Sequence, residues 1–299
     1  MICWVCSELG GLLFTAVNSV GGQHRTFQKQ GAMGMQEQNR TWIIMTGASR
    51  GIGLAMAKQF RARGLSVCAL LRPQSIAASQ PHVDRIIAWD CDQPWHLNPA
   101  QDLLDFAEKE KVVGFVHAAG LLGPMERPPA ARESSAWQLW WDEYRSTLRV
   151  NHLSGMELAL GLKTFLKPWK NQAPSERPPF LMHVSSGAAV KPYVGWGAYC
   201  SSKAAMLMDF KCLASQFDCR EILVLSVAPG TVMTDMMRQV LASQPEDFPA
   251  IDKFKELEKS GGLVPPDLAG EKMVRWLVEQ PAENLAQWHG QLYDVRNNN

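Results

Sequence analysis

The stretch Trp42-Ile43-Ile44-Met45-Thr46-Gly47-Ala48-Ser49-Arg50-Gly51-Ile52-Gly53 runs from four apolar residues straight into a turn spaced G-x-x-x-G-x-G. The apolar run has the length and composition of a buried strand, and residues 51–63 continue as a helical pattern. Glycines at such a turn let the backbone approach an anion closely. A following helix points its unpaired N–H groups and positive dipole end at that anion. A glycine-rich turn by itself also fits a bland connection. Set between a strand and a helix, this spacing reads as a phosphate cradle for a dinucleotide.

Outward from the turn, β-rich runs alternate with helical stretches. Strands are expected at residues 65–71, 85–89, 112–117, 180–184, 222–227 and 291–295, and helices at 101–111, 199–217 and 268–280. Residues 137–166 carry one long helical pattern, 174–179 form a Pro-rich loop, and 231–266 read as a mobile segment. Strand and helix in strict alternation, with no internal repeat and no linker, imply a single α/β domain. Its expected form is a doubly wound parallel sheet of about seven strands over residues 41–299.

The composition, 46% apolar and 20% charged, suits a chain that buries a core. Thirty basic against 29 acidic side chains leave a net charge of +1, which supplies no field for nucleic acid or anionic lipid. The seven cysteines, at 3, 6, 68, 91, 200, 212 and 219, are odd in number and scattered. That usage suits reduced thiols in a cytoplasmic protein. Cys3 and Cys6 form a C-x-x-C pair without the further ligands of a zinc site, so no metal is expected. Residues 1–40 read as a mobile tail, because their apolar stretch at 12–17 is too short to span a bilayer and Glu8 precedes any basic residue.

Tyr199 and Lys203 stand four residues apart, hence on one helix face. A neighbouring ammonium favours phenolate and would lower the phenol's pKa, which suits a proton donor to a carbonyl oxygen. Taken alone, the pair also fits an ordinary amphipathic helix. The motifs together go further, for from about Trp42 to Val295 the chain resembles the short-chain dehydrogenase/reductase family. In order it carries T-G-A-S-R-G-I-G at 46–53, His117-Ala118-Ala119-Gly120, Val150-Asn151, Val184-Ser185-Ser186, Tyr199, Lys203, and Pro229-Gly230 with Thr234 beyond.

The resemblance implies a Rossmann-type fold and a set of roles. Tyr199 would be the general acid, Lys203 its partner and a ribose ligand, Ser186 the donor that orients the carbonyl, and Asn151 the anchor of a water leading from Lys203. Gly47, Ser49, Arg50, Gly51, Ile52 and Gly53 would hold the cofactor's phosphates. Asp90 and Cys91 would flank its adenine, with Ala118, Ala119, Gly120, Pro229, Gly230, Val232 and Thr234 along the rest of it. Ala118 stands where the family commonly has asparagine, which leaves a sheet-stabilising hydrogen bond in question. The second strand ends Leu70-Leu71-Arg72 with no acid to bind ribose hydroxyls, and Arg50 lies in the glycine turn. Two guanidinium groups there suit a 2′-phosphate, so the expected cofactor is NADPH.

Within the family the runs 185–189, 192–203 and 229–236 are most similar to sepiapterin and benzil reductases. The function implied is NADPH-dependent reduction of a ketone or diketone, in a protein that forms a dimer or tetramer. A 3-oxoacyl-thioester reductase, an alcohol dehydrogenase and a non-catalytic cofactor sensor are the alternatives. Trp196 and Tyr193 precede Tyr199 closely and are expected to shape the pocket, under a lid from residues 236–266. Asp294 is expected either to bind the polar edge of a substrate such as a pterin or to begin a solvated tail.

Overall fold

The computed structural model describes residues 40–76, 82–125, 128–130, 132, 134–170 and 176–297. The expected tail, with Cys3 and Cys6, lies outside the described residues apart from Arg40, as does part of the loop at 174–179.

The strands are β1 (Thr41–Thr46), β2 (Ser66–Leu71), β3 (Arg85–Ala88), β4 (Lys111–His117), β5 (Phe180–Val184), β6 (Leu223–Ala228) and β7 (Leu292–Asp294). They form one seven-stranded sheet in the order β3-β2-β1-β4-β5-β6-β7. Every pairing is parallel. The chain winds outward from β1 to β3 and then returns to lay β4 on the other side of β1. The connections leaving β1 and β4 therefore diverge, and a crevice opens at the carboxyl ends of these two strands.

Side-chain alternation sends each strand's residues to two cores. Ile43 and Met45 of β1 join Met56 and Phe60 of α1 (Gly51–Ala62). Trp42 and Ile44 face the other way, among Leu103 and Phe106 of α2 (Ala100–Lys109). Each large apolar side chain so buried contributes roughly 1.5–3 kcal/mol.

The expected long helix over 137–166 is two helices. Here α3 (Ser135–Leu148), capped by Ser134 Oγ on the Trp137 N–H at 3.2 Å, gives way to a π-helical turn, Arg149–Leu153, before α4 (Ser154–Leu162). After α5 (Gly197–Ala214), the expected mobile segment over 231–266 folds as α6 (Asp235–Leu241) and α7 (Ile251–Lys259), tied at its ends by a Val232–Val264 bridge. Their buried Met237, Val240, Ile251 and Phe254 form a third cluster with Trp196 and Tyr199. Last of the longer helices, α8 (Pro266–Glu279) meets α1 so closely that a Cβ on Gly270 would lie 2.6 Å from that of Ala55. No helix among the described residues is long and apolar enough to cross a membrane.

Candidate active site

The carboxyl ends of the central strands open into a cavity of about 600 Å³. Every residue expected at the cofactor or the substrate lines it, except Asn151. Gly47, at φ 72°, passes so close to β4's exit that a Cβ would stand 2.5 Å from the Ala118 carbonyl carbon. On Gly53 a Cβ would overlap the Gly47 carbonyl oxygen at 2.1 Å. Only glycine at these two positions keeps the turn folded over the first turn of α1, which makes the cradle that a pyrophosphate needs.

The asparagine missing at Ala118 is replaced in effect by its neighbour. His117 Nε2 faces the Val150 carbonyl at 3.0 Å and must carry the proton there, so Nδ1 accepts from the Thr46 hydroxyl at 3.0 Å. Thr46 Oγ1 in turn accepts from the Ala118 and Ala119 N–H groups, both at 3.2 Å. One imidazole thus ties β1, β4 and the π turn together at the switch point. Burial holds His117 neutral, at a pKa of about 3, and pushes that of His183, its partner in register on β5, well below the usual range.

Tyr199 and Lys203 are both buried on the first turns of α5. Lys203 Nζ lies 5.7 Å from the phenol ring centre and donates to the Val184 carbonyl at 2.9 Å. The expected lowering of the phenol's pKa is not found: burial raises it, and a hydrogen bond with the Ser186 hydroxyl draws it part of the way back. Desolvation outweighs the cation because the ammonium is turned onto a backbone carbonyl rather than onto the phenol oxygen. Burial also brings Lys203 down to about 8. Ser186 Oγ accepts from the Ala188 N–H at 3.1 Å, which fixes the hydroxyl at the start of the loop after β5.

Asn151 does not line the cavity. Its Oδ1 accepts from the Leu121 N–H at 2.7 Å, and its Nδ2 donates to the Leu121 carbonyl at 2.8 Å and to Ser202 Oγ at 2.9 Å. The expected water anchor is, in its side chain, a brace between the chain leaving β4 and α5. The π turn allows this, since an inserted residue turns Asn151 inward from an otherwise regular helix.

At the glycine-turn end, Arg72 makes no ion pair among the described residues, whereas Arg50 lies 3.6 Å from Asp235 of α6. Asp90 and Cys91 line the same end, and burial raises the Cys91 thiol to about 11, so it stays protonated. Asp294 reaches the cavity already engaged: Arg296 Nε and one Nη donate to its two oxygens at 2.9 and 2.5 Å. That fork holds its carboxyl below the usual range. Arg296, Lys191 and Lys253 line the cavity too. The sequence reading misses all three; only Arg296, two residues from an acid at a strand's end, carries a local signal.

Residues 41–245 match the family described as short chain dehydrogenase. A benzil reductase ((S)-benzoin forming) of Bacillus subtilis (strain 168) is 29% identical over 261 residues, which cover 85% of this chain and 97% of that one. The sepiapterin reductase of Bos taurus is 27% identical over 272 residues, 85% of this chain and 95% of the other. Among solved structures, the KRED1-Pglu enzyme aligns with a TM-score of 0.67 at 27% identity, covering 85% of this chain and all of that one.

Proposed function

This chain belongs to the short chain dehydrogenase family, and from that premise we propose that it is an NADPH-dependent carbonyl reductase acting on an aromatic ketone or diketone. The observation that carries this reading is the convergence of Ser186, Tyr199 and Lys203 on one cavity whose other end is a glycine cradle with Arg72 beside it. The residues fit a phosphorylated dinucleotide: Gly47 and Gly53 leave room for the pyrophosphate, and Arg72 offers a planar fork to a 2′-phosphate. When bound, the cofactor supplies the hydride.

The chain's own groups do the rest. Tyr199, held protonated by burial, donates its proton to the carbonyl oxygen as negative charge develops there. Ser186, which lines the same cavity, donates a hydrogen bond from its hydroxyl to that oxygen and orients it. The Lys203 ammonium, still mostly charged at pH 7 and 5.7 Å from the phenol ring centre, offsets the charge left on the phenol and can return a proton. A diketone is favoured over a pterin by one observation, the Arg296 fork that occupies both oxygens of Asp294.

The experiment is cofactor oxidation by purified protein against benzil, 1-phenyl-1,2-propanedione, sepiapterin and a 3-oxoacyl thioester. The expected result is NADPH consumption with the diketones, faster than with NADH. Consumption with none of these carbonyls would overturn the reading.

A further inference from the structure

On the reductase reading above, the cavity wall beside Tyr199 also bears on which ketone fits. Trp196 lies flat on Phe248 with ring centres 4.7 Å apart, meets the Tyr199 ring edge-on at 5.6 Å and reaches Tyr193 at 4.9 Å. Phe254 closes the cluster, 5.5 Å from Trp196. Aromatic walls beside the reacting phenol favour a flat, unsaturated substrate body, because ring contacts add to plain apolar burial.

The far side of this cluster ends in a cation. Lys253, an exposed residue of α7, holds Nζ 5.8 Å from the ring centres of both Tyr193 and Phe254. It lines the same cavity as Tyr199, as does Lys191 from the loop after β5. Neither lysine makes an ion pair among the described residues. Two of the acids that line the cavity are already engaged, Asp294 by Arg296 and Asp235 by Arg50 and Arg238. Lys253 therefore stands at the cavity as a cation without an ion-pair partner among the described residues, with Asp252 and Glu256 as its acidic neighbours on α7.

We infer that the substrate is an aryl ketone bearing an anionic group, a carboxylate, at the end of the ring system remote from the reacting carbonyl, and that Lys253 receives this group. The steps from Tyr199 to Trp196, to Tyr193 and to the ammonium are each shorter than 6 Å. The aromatic wall thus stands between the phenol and the ammonium, whereas the carboxylate of an α-keto acid would sit beside the reacting carbon. The reaction is unchanged: the ketone carbon takes hydride from NADPH, the oxygen takes the Tyr199 proton, and a secondary alcohol and NADP⁺ result. Lys191 adds to the attraction at longer range.

The test compares 1-(4-carboxyphenyl)propane-1,2-dione with its 4-carbamoyl analogue, which matches it in shape and lacks the charge. The native protein should prefer the carboxylate by about tenfold in kcat/KM, chiefly through KM, the scale of one charge-assisted contact. The ratio of the two specificity constants should fall towards one in Lys253→Met, invert in Lys253→Glu, and survive in Lys253→Arg. Reduction of both ketones without a charge preference, or a preference that Lys253→Met leaves intact, would overturn this inference alone. Reduction of neither by a protein that consumes NADPH with 1-phenyl-1,2-propanedione would also overturn this inference alone, whereas inactivity with the whole carbonyl panel would overturn the reductase reading with it.

Discussion

Arg72 and Arg50 differ in what they have free to offer. Because Arg50 already faces Asp235 across 3.6 Å, most of the recognition of a 2′-phosphate should fall to Arg72. Arg72→Asp should lower kcat/KM with NADPH by about tenfold or more, the worth of a charge-assisted pair, and affect NADH less. An unchanged NADPH-to-NADH ratio would remove Arg72 from cofactor choice. At the opposite end, the Arg296 fork predicts that Asp294→Ala changes KM for sepiapterin and for a plain diketone alike. A selective loss with sepiapterin would instead make Asp294 a pterin ligand. Ser186, Tyr199 and Lys203 are legible in the sequence because fixed spacings on one strand end and one helix carry them. The Thr46–His117 bond joins residues 71 apart, and no local pattern announces it. The direction of the Tyr199 pKa was also out of reach, since it depends on burial and on where Lys203 aims its ammonium.

Elements whose apolar residues repeat over several turns, or fill a whole strand, were readable, and the seven strands stand where such runs occur. The π turn at Arg149–Leu153 was not, because one inserted residue does not disturb a periodicity spread over a long window. Helices α6 and α7 escaped for another reason: each is short, and their apolar faces make sense only against Trp196 and Leu122, contributed from elsewhere. A further long-range device holds α8 in place. Buried Arg177 donates to the carbonyls of Val278 at 2.6 Å and Leu277 at 2.8 Å while lying over the Trp169 ring. It satisfies the last carbonyls of a helix that packs on α1, the helix leading out of the glycine cradle. Arg177→Met should cost about 2 kcal/mol of stability by leaving those carbonyls buried and unpaired. Chemical denaturation measures this directly, and a variant as stable as the native protein would contradict the capping role.

For the molecule as a whole, the buried imidazoles set the response to acid. His117 takes a proton only near pH 3 in the fold, and burial likewise holds His183 well below the usual imidazole range, whereas both would protonate near 6.5 once unfolded. Between these limits the unfolded chain binds more protons, so stability should fall as pH drops below 6.5. Lys203, near 8 in the fold against 10.5 when exposed, has the same sign, and its contribution should rise as pH climbs through that window. Melting temperatures taken from pH 7 down to 4 should decline, and less steeply in His117→Asn; a flat native profile would contradict the neutral imidazoles. In the proposed mechanism Tyr199 supplies the proton in ketone reduction. Its most direct test is kcat/KM for 1-phenyl-1,2-propanedione with NADPH in Tyr199→Phe, alongside the NADPH dissociation constant. A loss of about a thousandfold, the scale of general-acid catalysis, with cofactor affinity nearly intact is the predicted result. A phenylalanine variant that keeps most of the native rate would contradict it.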